Sequence, residues 1–198
     1  MKLVLATLNP GKVAELKTLL ADLPLTLIPL AAYPGFTPPE ETGRTLAENA
    51  ALKAEAVARF TGLWALADDS GLEVDALGGR PGVYSARYAG EDADDKKNNA
   101  KLLTELAKVA AAKRTARFRA VIALAHPGRP TRFAEGVCEG IIAMEPRGES
   151  GFGYDPLFYY PPAGRTFGEM LPAEKNKISH RAQALQAARE LLRQLAGM

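Results

Sequence analysis

Two adjacent carboxylates, Asp68 and Asp69, follow the apolar segment Trp64-Ala65-Leu66-Ala67 and precede Ser70-Gly71. Carboxylate oxygens are preferred ligands of Mg²⁺, which is usually held by one or two of them together with water and substrate phosphates. The apolar segment is expected to be a buried strand that stops at the pair, and ligand sites gather at strand ends in α/β sheets. A solvated turn is the alternative, because Asp, Ser and Gly all favour turns. The pattern favours a metal centre by a modest margin.

A second segment with chemical potential is Thr7-Leu8-Asn9-Pro10-Gly11-Lys12, which connects a short apolar run to a helical pattern. Free backbone N–H groups and the helix dipole at such a point favour anions, and Lys12 adds a full positive charge. The segment is not the Gly-rich Lys-Ser/Thr phosphate loop, because its glycine spacing differs and Val13 follows the lysine. Phosphate is the expected ligand, although a structural turn is the commoner reason for such a segment.

Aromatic and basic groups are concentrated in two segments nearer the C-terminus. Gly151-Phe152-Gly153-Tyr154-Asp155-Pro156 could stack a flat base on an aromatic ring, or could form a tight turn with buried aromatics. Lys175-Asn176-Lys177-Ile178-Ser179-His180-Arg181 could neutralise phosphates or contact a base carbonyl, or could simply cap a helix. The residues alone leave both pairs of alternatives open.

Upstream acidic groups, Glu40-Glu41 and Glu48, are candidates for the same metal. Glu48 lies in the segment Leu46–Val57, which consists mainly of strong helix formers. A solvated carboxylate on a helix is the commoner reason for a glutamate at such a position. Considered alone, Glu48 is therefore expected to be a surface residue.

The elements that must position these groups are predicted from hydrophobic periodicity. Strands are expected at 3–6, 25–30, 64–67, 118–125 and 131–143, with a hairpin through 126–130, and a long loop is expected at 33–43. Helices are expected after Gly11 and over 46–57, 94–109 and 181–195, the last capped by Ser179. Strands that alternate with helices and then form a hairpin indicate an α/β fold with a mixed sheet.

Chain length and composition exclude several classes of protein. The length of 198 residues and the 47% hydrophobic content indicate one globular folding unit. The formal net charge of +2 does not call for a nucleic-acid polymer as partner. The single cysteine, Cys138, is expected at a core strand position and indicates a reducing, cytoplasmic compartment. The first apolar run is too short for a signal peptide or a membrane span.

Taken together, the motifs resemble those of the inosine/xanthosine triphosphate pyrophosphatases, which remove deaminated purine nucleotides. The matching segments follow in the family's order and span essentially the whole chain: 7–12, Thr45-Leu46-Ala47-Glu48-Asn49-Ala50, 67–72, 77–87, 151–156 and 178–181. Leu8 stands where bacterial members commonly have glycine, and Pro10 stiffens the same turn. These two departures concern the geometry of the phosphate segment.

The resemblance implies an elongated α/β fold, a single domain over residues 1–198 with a mixed central sheet and two lobes flanking an active-site cleft, usually in a homodimer. It implies Mg²⁺-dependent hydrolysis of ITP, dITP and XTP to the monophosphate and pyrophosphate. In that mechanism Asp69 orients or deprotonates the attacking water, and Asp69, Glu48 and Glu41 hold the metal. The alternatives are preference for another nucleotide, and a nucleotide-binding protein that has lost catalysis.

The resemblance also assigns the substrate contacts. Lys12 and Lys175 would contact phosphates, and Ser70 would hydrogen-bond the nucleotide. A donor such as Arg181 would favour the C6 carbonyl of hypoxanthine and xanthine over the amino group of adenine. The complete predicted set of substrate-binding residues is Thr7, Leu8, Asn9, Pro10, Gly11, Lys12, Ser70, Phe152, Gly153, Tyr154, Asp155, Lys175, His180 and Arg181.

Overall fold

The chain forms two compact units in a computed structural model, and the structure describes residues 1–196. Unit 1 comprises Met1–Asp69, Ala120–Gly136 and the residues from His180 onward; unit 2 comprises Ser70–Arg119 and Val137–Ser179. Each unit is therefore assembled from separate stretches of sequence. The single domain, the elongated shape and the cleft stay predictions.

Seven strands and five helices make up the regular structure of the described residues. The strands are β1 (Lys2–Leu5), β2 (Thr26–Pro29), β3 (Trp64–Val74), β4 (Thr115–Ala125), β5 (Arg132–Ile142), β6 (Phe158–Tyr160) and β7 (Arg165–Thr166). The helices are α1 (Pro10–Leu19), α2 (Leu46–Thr61), α3 (Asp95–Glu105), α4 (Pro172–Lys175) and α5 (His180–Ala196).

The strands form one mixed sheet in the order β2-β1-β3-β4-β5-β6-β7. β1 pairs in parallel with both β2 and β3, whereas β6 is antiparallel to β5 and to β7. The parallel pairs join strands separated by helices, and β4 and β5 are linked through the turn at 126–130. The predicted α/β class with a mixed sheet is confirmed.

Unit 1 has an apolar core between its strands, α1 and α5. Its fully buried members include Leu3, Leu5, Leu16, Leu66 and Leu192. A glycine allows the close approach of β5 to α5, because a Cβ on Gly136 would lie 2.2 Å from the carbonyl oxygen of His180. This close contact fixes the start of α5, which carries His180 and Arg181 at its first two positions.

Unit 2 has its own core, which contains a group of packed aromatic rings. Phe158 lies 4.5 Å from Phe118 and 4.9 Å from Phe167, measured between ring centroids. Cys138 is buried in this core, as predicted. The guanidinium of Arg114 is also buried, and it donates to the carbonyls of Leu106, Val109 and Ala143.

Three features of the secondary structure differ from the sequence-based expectations. β3 does not stop at Ala67 but continues to Val74, so Asp68-Asp69-Ser70-Gly71 is strand rather than turn. Predicted to reach Val109, α3 instead ends at Glu105, and Arg114 takes up carbonyls of the residues that follow. Helical spacing from Leu46, Ala50 and Val57 predicts Phe60 on the apolar stripe of α2, but Phe60 is 53% exposed and packs edge-on against Phe36.

Among residues 1–196, no helix combines the length and the apolar character needed to cross a membrane.

Candidate active site

Helix α2 places a lysine beside the acidic pair in unit 1. Thr45 caps the helix with its side chain, and Gly62 ends it in a left-handed conformation (φ 69°) that glycine adopts without strain. These signals fix the helical register, in which Lys53 falls on the same stripe as Leu46, Ala50 and Val57. The ammonium of Lys53 is thereby directed toward β3 rather than solvent, and its side chain is 17% exposed.

Asp68 is the anchor of a buried charge cluster. One of its carboxylate oxygens lies 2.8 Å from the Lys12 ammonium and 2.9 Å from the Arg181 guanidinium, and the Asp68 side chain is fully buried. Arg181 also donates a short hydrogen bond to Glu15. The four groups come from α1, β3 and α5 and lie within unit 1.

Asp69 has different partners from those of Asp68. Successive side chains of a strand point to opposite faces, so adjacent aspartates can serve separate functions. The Asp69 carboxylate accepts from the Lys53 ammonium at 2.5 Å, and the same ammonium lies 3.2 Å from the Glu41 carboxylate. Glu41 and Asp69 thus converge on one cation.

The pKa values of the two aspartates are shifted in opposite directions by burial and by neighbouring charges. Burial raises the pKa of Asp69 above its ordinary value, against the opposing charges of Lys53 and Lys12. Burial also acts to raise the pKa of Asp68, but Arg181 and Lys12 outweigh it, so that this pKa is held far below its usual range. Asp68 therefore stays ionised, whereas Asp69 is the more basic carboxylate, as a proton acceptor requires.

The pKa values of Lys12 and Lys53 are also shifted by burial and by the neighbouring charges. Burial lowers the pKa of Lys12, and the charges of Lys53 and Arg181 add to this effect against the attraction of Asp68. Burial opposes the charged form of Lys53 as well, but Asp69 and Glu41 overcome it and raise the pKa of Lys53. Lys53 is consequently a permanent cation at this site.

The predicted phosphate segment forms the junction of β1 and α1. Asn9 accepts from the Lys12 backbone amide at 3.0 Å, Pro10 occupies the first turn of the helix, and Leu8 is 61% exposed. The Asn9 side chain therefore satisfies one of the amides expected to bind phosphate, and the Thr7 hydroxyl accepts from the Asn9 amide. Lys12 is the member of this segment that the structure brings to the acidic pair.

The predicted carboxylate trio is not assembled. Glu48 lies at the start of α2, where its side chain accepts from the amides of Arg44 and Thr45 in a capping box. Within the described part of the chain, no group of three or more His, Cys, Asp or Glu side chains is arranged to hold a metal ion. In this conformation the Glu48 side chain satisfies the helix terminus, and its assignment to the metal stays a prediction.

A second charged cluster lies in unit 2. The Lys175 ammonium lies 2.6 Å from the Asp155 carboxylate, and both side chains are at most 5% exposed. The same carboxylate oxygen accepts from the Phe152 amide at 3.0 Å, and the ammonium lies 4.8 Å from the centroid of the Phe152 ring. The structure thus joins two predicted segments, 151–156 and 175–181, through one buried ion pair.

The other predicted contacts of unit 2 have structural partners. Tyr154 is 4% exposed and donates to the Ser85 carbonyl, and its predicted contact with substrate stays a prediction. The Gly153 amide donates to Asp95 at 2.7 Å. Ser70 is the first residue of unit 2, on β3 directly after Asp69, and its predicted hydrogen bond to the nucleotide stays a prediction.

His180 and Arg181 begin α5 in unit 1 and are buried, at 4% and 1% exposure. The Arg181 guanidinium contacts Glu15 and Asp68, which places it in the charge cluster. Its predicted reading of the purine carbonyl stays a prediction.

Sequence reasoning missed Lys53 and Glu15. A lysine on the otherwise apolar stripe of α2 was an available signal for Lys53, because a buried lysine needs a counter-charge. Glu15 had no comparable signal, since a single glutamate on α1 reads as a solvated residue. The contacts of Glu15 therefore follow from tertiary structure alone, whereas the burial of Lys53 could have been predicted from its place on the helix.

Comparison with known proteins finds similar sequences and structures over nearly the whole chain. The sequence model of the Ham1 family matches residues 3–191. A dITP/XTP pyrophosphatase of Desulforamulus reducens is 58% identical over 195 residues, which cover 98% of this chain and 97% of that protein. One of Bacillus subtilis is 53% identical over 190 residues, or 96% of each chain. The structure of a HAM1 protein from Coxiella burnetii superimposes with a TM-score of 0.89 at 46% identity, over 98% of this chain and 99% of that one. The chain belongs to the Ham1 family.

Proposed function

We propose that this chain hydrolyses the non-canonical purine nucleoside triphosphates ITP, dITP and XTP to the monophosphate and pyrophosphate, and so clears deaminated purines from the nucleotide pool. The observation that carries the proposal is the paired arrangement of Asp68 and Asp69, one fixed by two cations and the other held by Lys53 with a raised pKa. Relatives that are 52–58% identical over nearly the whole chain bear the name dITP/XTP pyrophosphatase.

In this proposal Asp69 acts on the attacking water. A general base is most effective when its pKa approaches the working pH, and before a metal binds, burial raises the pKa of Asp69 toward that range. Asp68 does not compete for the proton, because Lys12 and Arg181 keep it ionised. Its role is to hold two cations beside the reacting carboxylate, where negative charge develops on the phosphates.

Mg²⁺ fits the residues that are present. Oxygens of Asp69 and Glu41 already converge on one cationic atom, the Lys53 ammonium. One or two carboxylates with water and phosphate oxygens is the coordination that Mg²⁺ usually adopts. Asp69 and Glu41 would therefore hold the ion, which when bound would offset phosphate charge as a Lewis acid. Glu48 is left out of this set.

Matched substitutions can test whether Glu41 binds the metal while Glu48 caps the helix. Glu41→Gln is expected to raise the Mg²⁺ concentration for half-maximal activity by at least about tenfold, since even indirect partners of a metal cost 10–100-fold in affinity. Glu48→Gln should leave it unchanged, because glutamine also completes a capping box. Titrations of Mg²⁺ with pyrophosphate release as the readout would measure the effect of each substitution. A larger effect of Glu48→Gln than of Glu41→Gln would favour Glu48 as the metal ligand.

Base selection is tested by a panel of triphosphates. A site that hydrogen-bonds the C6 carbonyl rejects adenine, because its buried donor is left facing an amino group. The kcat/KM for ITP, dITP and XTP is therefore expected to exceed that for ATP by at least about 100-fold. Faster turnover of dGTP or dTTP than of dITP would remove the proposed substrate class while leaving the phosphate chemistry intact.

Two further assignments belong to this proposal. The resemblance to homodimeric pyrophosphatases supports a homodimer. The single buried cysteine supports a reducing, cytoplasmic setting. Light scattering of the purified protein would measure the assembly, and a monomer would remove that assignment.

A further inference from the structure

We propose that Lys53 is a built-in competitor of the metal: its ammonium occupies the position between Asp69 and Glu41 and leaves it when Mg²⁺ and a triphosphate bind together. The inference deepens the proposed function, on which it rests for the identity of the metal and the nucleotide. It concerns how the free enzyme holds its acidic groups and what order of binding follows.

The contacts of Lys53 match the donor capacity of an ammonium. A lysine has three N–H donors and no acceptor. The Lys53 nitrogen lies 2.5 Å from an Asp69 carboxylate oxygen, 3.2 Å from a Glu41 carboxylate oxygen and 3.2 Å from the Asp68 carbonyl oxygen. Three oxygens are thus in place for three donors, and two of them belong to the proposed metal ligands.

Charge makes this arrangement incompatible with a metal bound to the same oxygens. Asp69 and Glu41 repel each other when both are ionised, and a cation between them removes the repulsion. Either the ammonium or Mg²⁺ can serve, but two cations held by the same carboxylates repel each other. Binding of the metal therefore requires Lys53 to move away from Asp69.

A displaced ammonium needs new acceptors, and a triphosphate provides them. The Lys53 ammonium lies at the end of a flexible four-carbon side chain that is 17% exposed. It can therefore change its partners while α2 stays in place. Lys12 is differently placed, because its ammonium contacts the carboxylate of Asp68, which is not one of the proposed metal ligands. The nucleotide thus stabilises the conformer of Lys53 that the metal requires, and the two ligands bind with positive coupling, which is necessarily reciprocal.

Metal binding without nucleotide isolates this effect from turnover. Mn²⁺, which takes carboxylate ligands as Mg²⁺ does and is visible by electron paramagnetic resonance, would be titrated into the protein. Lys53→Met is expected to tighten Mn²⁺ binding at least about fivefold, a typical coupling between two ligands. Lys53→Arg should bind as weakly as the wild type, because it retains the cation. Lys17→Met, an exposed lysine of α1, controls for the loss of one charge and should also match the wild type.

The same titration with a non-hydrolysable α,β-methylene analogue of ITP measures the coupling. The analogue should tighten Mn²⁺ binding to the wild type more than to Lys53→Met, in which no ammonium has to be displaced. Lys53→Gln, which keeps hydrogen-bonding capacity, replaces the methionine variant if circular dichroism shows the latter to be unfolded.

Unchanged or weaker Mn²⁺ binding in the folded variants would overturn the inference, because a purely structural lysine would leave a poorer metal site when removed. Absence of Mn²⁺ binding to every variant would overturn it as well. These outcomes are independent of the proposed function, which fails if the wild type releases no pyrophosphate.

Discussion

Asp69→Asn is expected to lower kcat for pyrophosphate release from ITP by at least about 100-fold, the lower end of what a positioned general base contributes. The substitution keeps the shape of the side chain but removes its basicity and one charge of the proposed metal site. Nucleotide affinity should largely remain, because Lys12 and Arg181 keep their contacts with Asp68. Steady-state kinetics and equilibrium binding of the α,β-methylene analogue would measure the two effects separately.

A matched control is Asp22→Asn, an exposed carboxylate of unit 1 paired with Arg189. It removes the same charge at a position outside the cluster and should leave kcat unchanged. If Asp69→Asn kept activity within a few-fold of the wild type, Asp69 would lose the catalytic role.

Asp68→Asn is expected to destabilise the protein by about 3–5 kcal/mol, the usual cost of removing one partner from a buried ion pair. The Asp68 side chain is fully buried and faces both Lys12 and Arg181. Asparagine removes the carboxylate charge that both cations contact, so Lys12 loses this ion pair and Arg181 keeps its contact with Glu15. Urea unfolding followed by circular dichroism would give the change in the free energy of unfolding.

The comparison for this variant is Asp92→Asn, which breaks an ion pair with Lys97 whose side chains are 53% and 59% exposed. Exposed pairs contribute little, so its unfolding midpoint should match that of the wild type. Equal stability of Asp68→Asn and the wild type would show that Lys12 and Arg181 do not depend on Asp68.

Most elements were predictable because their hydrophobic periodicity and end signals agree. The helix at 46–57 carries a threonine cap and a glycine stop, and the structure extends it only to Thr61. The strands around the turn at 126–130 were placed within a few residues of their ends. In such segments local preference and tertiary packing favour the same conformation.

The acidic segment of β3 could not be assigned from local preference. Asp, Ser and Gly favour turns, yet β3 runs through Asp68-Asp69-Ser70-Gly71 to Val74. Lys12, Lys53 and Arg181 provide the counter-charges that allow two aspartates in a buried strand. These cations are distant in sequence, so the strand depends on contacts that no local window contains.

The same reasoning explains how the candidate site was predicted in part. Lys12, Asp68, Asp69, Glu41 and Arg181 carry functional groups in recognisable motifs, and the structure brings all five into unit 1. Lys53 was read as one more helix former, and the capping contacts of Glu48 were not predicted. Whether a charged helical residue points inward depends on the partner that it meets, which is a tertiary property.

The products formed from ITP in the presence of Mg²⁺ test the central claim most directly. Phosphorus NMR of the reaction would distinguish cleavage of the α–β anhydride from loss of the terminal phosphate. The proposed function predicts inosine monophosphate and pyrophosphate in equal amounts, with both formed at least about 100-fold more slowly by Asp69→Asn. Inosine diphosphate and inorganic phosphate as products, or no hydrolysis by the wild type, would contradict it.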